Sequence, residues 1–317
     1  MTKQSNYQPK IGIALGSGSA RGWAHIGIIQ ELSKLGLKPD IIAGSSIGAF
    51  VGAAYASNKI DELEQWVKTL TWKKILNYID FTVVGGGFIQ GEKLIEFVGN
   101  HIEENSIELL PRQFGAVATD LNTGREIWFQ KGDMLEAVRA SITIPGVFTP
   151  VKVDGRWLVD GGLSNPVPVS LCRAMGADVV IAVNLNGDIV GKHNRKNNHQ
   201  NKNSDKTSNN NEKPLKLRVS SQIANSFNEQ KEIFLTRLFG DDMDSPGLLE
   251  VTMSSINIMQ DRLTRSRMAG DPPDIILSPQ LSHLGLMEFD KAAIAIEEGR
   301  ASVERMRPAL ERLRDNL

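Results

Sequence analysis

The 317-residue chain has one cysteine, Cys172, so no disulfide can close within it and no cysteine-based zinc site can be assembled. That usage fits a reducing compartment. No segment reads as a membrane span: the longest uncharged stretch, residues 41–58, is short and rich in Gly, Ala and Ser. Residues 1–10 (MTKQSNYQPK) hold no apolar run of the kind a secretory leader needs. The net charge is −1, which gives no overall electrostatic reason to expect nucleic acid as a partner. These absences predict a soluble, cytoplasmic protein. What is present is 41% hydrophobic residues, enough for a sizeable core in one large α/β domain or two smaller ones.

Strand-like and helix-like segments alternate, the pattern of an α/β fold with a mainly parallel central sheet. Residues 10–15 read as the first strand, followed by a Gly/Ser loop and a helix over about 20–35. Residues 40–43 read as a second buried strand and 47–57 as its helix. Two helical stretches are read around 61–78, with Leu63, Trp66, Val67 and Leu70 at helical spacing; Gly85-Gly86-Gly87 breaks the chain, and another helix is expected near 92–101. Residues 114–119, 126–130 and 179–183 read as strands, and 151–153 with 157–159 as a hairpin across Asp154-Gly155. From 187 to 215 Asn, Lys, His and Ser dominate, so this is expected to be a disordered insertion. His193 and His199 lie in it without a Cys or carboxylate cluster, and no metal site is expected there. Residues 220–317 read as mostly helical, interrupted by a strand at 274–277, and no internal repeat is evident.

Two short motifs carry chemistry. Gly44-Ser45-Ser46-Ile47-Gly48 is a G-x-S-x-G pentapeptide between strand and helix, the context of a nucleophile elbow with Ser46 at its apex. The pattern alone is weak, since chance supplies a match in roughly one chain of five at this glycine content; the flanking elements strengthen it. The second motif, Gly16-Ser17-Gly18-Ser19-Ala20-Arg21-Gly22, joins the first strand to its helix. Its amides and the helix N-terminus could bind a phosphate, stabilise an oxyanion, or merely cap the helix. A dinucleotide fingerprint fails, because Arg21 stands at the last glycine and Gly44-Ser45-Ser46 occupies the place of the ribose-binding acid. A Walker A loop fails for want of Gly-Lys-Ser/Thr.

A serine nucleophile needs a base. Of the five histidines, His193 and His199 lie in the polar insertion, while His25 and His101 read as surface or packing residues. His283 would complete the chain order Ser46, Asp160, His283 of an α/β-hydrolase triad. Alternatively Asp160, in Leu158-Val159-Asp160-Gly161-Gly162, could face Ser46 directly, with the glycines clearing space beside it; an ordinary Asp-Gly turn is the plainer reading of the same residues.

Gly16-x-Gly18-x-x-Arg21-Gly22, Gly44-x-Ser46-x-Gly48, the segment Ala140-Ser141 through Pro145 and Phe148, and Asp160-Gly161-Gly162 occur in one order along the chain. In that order and spacing the sequence resembles the patatin-like phospholipase family, in its bacterial branch related to neuropathy target esterase (RssA-type proteins). The resemblance covers about residues 10–185 and implies a three-layer α/β/α fold, here a single hydrolase domain over 8–317. It implies a Ser–Asp dyad without histidine: Ser46 as nucleophile, Asp160 as base, and no metal or cofactor. Amides of Gly16, Ser17, Gly18 and Ser19 are expected to hold the oxyanion, although Ser17 stands where the family loop often has its middle glycine. Gly44, Gly48, Gly161 and Gly162 are expected to support the two turns. Arg21 would orient the loop, form a structural salt bridge or meet a lipid phosphate.

The implied substrate is an acyl ester of a lipid, a phospholipid or lysophospholipid, reached by transient contact with a membrane surface. Apolar residues of the tail (Ile233, Phe234, Leu238, Phe239, Leu248, Leu249, Ile256 and Met259) could pack on the core, meet a membrane or join a homo-oligomer. Two other readings stand beside this one: a small-ester esterase with a Ser–Asp–His triad, and a patatin-fold regulator or scaffold with weak activity.

Overall fold

The computed structural model describes residues 8–71, 105–188 and 248–317. The chain divides into two compact units, Met1–Val190 with Ile256–Leu317, and Gly191–Ser255. The glycine break at 85–87, the helix near 92–101, the polar insertion from residue 189 onward and the apolar residues 233–239 lie outside the described residues. Within the second unit the described part is helical, residues 248–255.

The first unit is built on one eight-stranded sheet. Its strands are β1 (Ile11–Leu15), β2 (Ile41–Ser45), β3 (Gln113–Asp120), β4 (Glu126–Phe129), β5 (Val151–Val153), β6 (Arg156–Asp160), β7 (Val179–Val183) and β8 (Ile275–Leu277). The order is β5-β6-β3-β2-β1-β7-β8, with β4 also paired to β3. Strands β3, β2, β1, β7 and β8 run parallel, and β4, β5 and β6 pair antiparallel at one side. The parallel strands are short apolar runs with both faces covered, so β1 and β2 are buried at every residue.

Alternation along the strands separates two cores. One face offers Ile13, Leu15, Ile42, Phe114, Ile181 and Val183 to α1 (Ala24–Lys34), α2 (Ile47–Ala56) and a C-terminal helix over Ala292–Asp315. The other offers Ala14, Ile41, Ala43, Val117, Val180 and Ala182 to a short helix over Val169–Ala174. Completing the described helices in chain order, α3 is Ile60–Val67, α4 Met134–Ser141, α5 Val169–Ala174, α6 Leu248–Gly270 and α7 Ala292–Asp315. Helices α1 and α7 cross at backbone contact. A Cβ on Gly27 would stand 2.0 Å from the Ile296 carbonyl oxygen, and one on Gly299 would stand 2.1 Å from that of Ala24. Beside this crossing Arg300 donates to Glu64 at 2.8 Å and to Gln30 at 2.7 Å, linking α7 to α3 and α1.

The helix expected from residue 20 opens instead as a 3-10 turn, Ser19–Trp23, and becomes α-helical at Ala24. The hairpin forms as expected, with Asp154 and Gly155 both at positive φ (48° and 78°), the backbone of a type I′ turn. In the C-terminal tail Met259 is 57% exposed and Ile256 half-buried. None of the helices among the described residues is long and apolar enough to cross a membrane.

Candidate active site

Ser46 stands between the last residue of β2 and the first of α2, with φ 57° and ψ −127°. A non-glycine residue is strained in such a conformation, and strand-to-helix elbows hold their nucleophile in it. The two glycines of the pentapeptide permit the turn by close approach. A Cβ on Gly44 would lie 2.4 Å from Ala49 Cα, and one on Gly48 would lie 2.1 Å from the Leu15 carbonyl oxygen. The Ser46 amide donates to Ser141 Oγ at 2.9 Å. The Ala140-Ser141 pair is thereby part of the site, since this hydroxyl ties the elbow to the end of α4.

Asp160 reaches Ser46 across an intervening strand. Ser45 pairs with Val117 on β3, and Ala118, the next residue of β3, pairs with Asp160 on β6. The register thus puts the residue after β2 and the end of β6 at one level of the sheet. Ser46 Oγ donates to Asp160 Oδ2 at 2.5 Å, while Asp160 Oδ1 accepts from the Gly162 amide at 2.7 Å. The main chain of Asp160 is held as well, its amide donating to the Thr143 carbonyl at 2.8 Å and its carbonyl accepting from Thr119 Oγ1 at 2.8 Å. Burial dominates its titration: the carboxyl is pushed up to about 7, against the opposing pull of the Ser46 and Gly162 hydrogen bonds. Gly161 is as tightly placed as the elbow glycines, a Cβ there meeting the Val117 carbonyl oxygen at 2.1 Å.

The Gly16–Ser19 loop is the point where the sequence expectation needs correction. The Gly16 amide donates to Val183 and the Ser17 amide to Pro166, so neither is available to an oxyanion. The amides of Gly18 and Ser19 have no acceptor among the described residues, and Ser19 takes a positive φ of 53° at the start of the 3-10 turn. These two are the loop's free donors. Arg21 is buried (6% exposed) and its Nε donates to the Leu284 carbonyl at 3.0 Å. Burial pushes its guanidinium down from the ordinary value, with Asp188 opposing. It braces the loop from behind, with the Ala20 amide bonded to Leu286 beside it. His283 is exposed, and Ser46 Oγ donates directly to Asp160 with no imidazole between them, so the triad geometry does not form.

A patatin-like phospholipase family model matches residues 13–173, just over half of the chain. The chain belongs to the patatin-like phospholipase family. An uncharacterized NTE family protein of Mycobacterium tuberculosis is 46% identical over 183 residues, 58% of this chain and 51% of the relative. Patatin-like phospholipase domain-containing protein 7 of Rattus norvegicus is 33% identical over 182 residues, and protein 6 of Homo sapiens 31%; each match covers 55% of this chain and 13% of the relative. The chain therefore spans about half the length of the mycobacterial relatives it matches and a small part of the vertebrate ones. A crystal structure of VipD from Legionella pneumophila aligns with TM-score 0.47 at 12% identity, over 95% of this chain and 67% of that one.

Two buried polar residues of this patatin-like chain bear on the site in ways the sequence did not signal: His25, read as a surface or packing residue, and Gln260, not singled out at all. His25 of α1 has no exposed surface, and its Nε2 lies 2.8 Å from the Gly16 carbonyl oxygen. A carbonyl only accepts, so Nε2 carries the hydrogen, and burial pushes the imidazole down to about 4, keeping it neutral at neutral pH. Gln260 of α6, outside the family match, is 6% exposed and accepts from Ser17 Oγ at 3.0 Å. Among the described residues no group of three or more His, Cys, Asp and Glu side chains could hold a metal ion. Cys172 is buried, and desolvation pushes its thiol up to about 12, which makes it a poor nucleophile.

Proposed function

We propose that the protein is a serine acyl hydrolase that cleaves acyl esters of lipids, of the phospholipase or lysophospholipase type, through a Ser46–Asp160 dyad. The observation that carries this reading is the 2.5 Å hydrogen bond from Ser46 Oγ to an Asp160 carboxyl held near 7 by burial. A base with that affinity is half ionised at neutral pH and still able to take the serine proton. Asp160 Oδ2 accepts the Ser46 proton as Oγ attacks the ester carbonyl carbon, and the resulting oxyanion is met by the amides of Gly18 and Ser19. Losing one such donor typically costs about 3–4 kcal/mol in the transition state. As the tetrahedral intermediate collapses, Asp160 returns the proton to the departing alcohol oxygen. Water then attacks the acyl-enzyme, giving its proton to Asp160, and the acid leaves as Ser46 is restored.

Family membership supports a lipid ester as substrate, and a lipid substrate is reached by transient contact with a membrane surface. The hydrolase domain in this proposal runs over 8–317, because β7, β8 and α7 complete the sheet and its cover beyond the family match, with the polar segment 187–215 as an insertion. The test is hydrolysis of a fluorogenic acyl ester and of a lysophospholipid by wild type, Ser46→Ala, Asp160→Asn and His283→Ala, each checked for folding. Loss of about 10³-fold or more in kcat is expected for Ser46→Ala and Asp160→Asn, with His283→Ala at the wild-type rate. Loss in His283→Ala would favour a triad, and a wild type inert on every ester would favour a scaffold role.

A further inference from the structure

Gln260 is buried although Ile258 and Met259 beside it on α6 are 53% and 57% exposed. A helix that turns a glutamine inward and leaves apolar neighbours in solvent does so for the amide, since a buried amide must find partners. Gln260 Oε1 finds two, accepting from Ser17 Oγ at 3.0 Å and from Asn186 Nδ2 at 3.3 Å. Its Nε2 faces Gly162. A Cβ added there would stand 2.3 Å from Nε2, and the same point is 2.9 Å from Ser17 Oγ and 2.9 Å from Asp160 Oδ1. Three polar groups from three separate stretches of chain thus close on the glycine whose amide holds the Asp160 carboxylate.

We infer that Gln260 is a positioning residue for the acyl transfer, tying the oxyanion loop at Ser17 to the Gly162 turn that fixes Asp160. Ser17 is held at both ends, its amide by the Pro166 carbonyl and its hydroxyl by Gln260, and the two free amides follow it directly in the chain. The aim of those donors and the position of the base are therefore set by one side chain. A displacement of about 1 Å in such a constellation costs on the order of a hundredfold in rate without touching the chemistry.

The inference rests on the proposed Ser–Asp reading. Gln260→Leu, close in volume but unable to accept from Ser17, is expected to lower kcat by about 10- to 100-fold with KM within about threefold of wild type. Thr264→Val, one turn further on the same helix and equally buried, is the comparison and is expected to leave kcat unchanged. Gln260→Glu keeps an acceptor for Ser17 and brings a negative charge toward a carboxylate whose two hydrogen-bond partners, Ser46 and Gly162, are uncharged; the nearest acid on the helix, Asp261, is paired with Arg265 at 2.8 Å. Its acid limb in the pH–rate profile is expected to move up by about 1 pH unit. A residue that only fills space would move neither kcat in one variant nor the limb in the other. Gln260→Leu within twofold of wild type, in an enzyme that is active, overturns the inference and leaves the dyad standing. If Gln260→Leu does not melt cooperatively, the limb of Gln260→Glu decides, and a limb at the wild-type position overturns it. A wild type that neither turns over esters nor takes a fluorophosphonate at Ser46 removes the dyad reading and this inference together.

Discussion

At the scale of single residues, the Asp160 carboxyl governs two pH dependences of opposite sign. In the proposed mechanism catalysis needs its ionised form, so kcat/KM is expected to rise about tenfold per pH unit below about 7 and to level above it; a profile flat between pH 5 and 8 would rule out Asp160 as the base. Folding prefers the neutral form. An unfolded aspartate titrates near 3.9, so the native state holds an extra proton between about 4 and 7. The stabilising contribution of this group is complete below about 4 and is lost as pH rises through about 7. Asp160→Asn removes that titration while keeping an acceptor for Gly162. It is expected to melt higher than wild type at pH 8 and alike at pH 4, with a gap of a few kcal/mol at about 1.4 kcal/mol per pKa unit. Equal melting differences at both pH values would mean that the carboxylate is not carrying this cost. Ser46 and Asp160 were legible in the sequence because glycines mark both turns. The Gly16 and Ser17 amides were misread because their acceptors, Val183 and Pro166, come from distant chain. Gln260 was invisible for a related reason: a helical glutamine reads the same whether it faces water or a serine 243 residues away.

At the scale of elements, the elbow depends on α2 starting within van der Waals contact of β1 and β2. Gly48→Ala forces a methyl into the Leu15 carbonyl, where neither partner can move without breaking the sheet, and is expected to cost about 3 kcal/mol or more. Gly124→Ala, at φ 69° with nothing near its side-chain position, carries backbone strain alone and is expected to cost about 1 kcal/mol. Thermal melts of the two variants check the contrast, and equal losses would remove close packing as the reason for glycine at 48. The strands were readable from apolar runs bounded by turn residues, and the hairpin from Asp154-Gly155. Strand order was not, because nothing local in β3 announces that it lies between the serine strand and the aspartate strand. That insertion is what lets Asp160 approach from an antiparallel partner instead of from the strand next to β2.

For the whole molecule, described residues beyond the family match also reach the site's loop: Gln260 bonds Ser17 and Leu284 bonds Arg21. Helix α7 crosses α1 at Gly27 and Gly299, next to the turn whose His25 holds the Gly16 carbonyl. Gly299→Val is expected to cost more than about 3 kcal/mol and to lower activity per folded molecule. Ile294→Ala, at an exposed position of the same helix, is expected to stay within about 0.5 kcal/mol of wild type. A stable, fully active Gly299→Val would separate the helix from the site. The reciprocal contact has a kinetic consequence too. Backbone pressed against backbone leaves no side chain to yield, so the crossing loses its packing as a whole when residues 292–315 separate from residues 24–34. The buried amides around Gly27 and Gly299 are expected to exchange with deuterium at a common rate, set by one cooperative opening of the two helices; independent rates would mean that each helix opens alone.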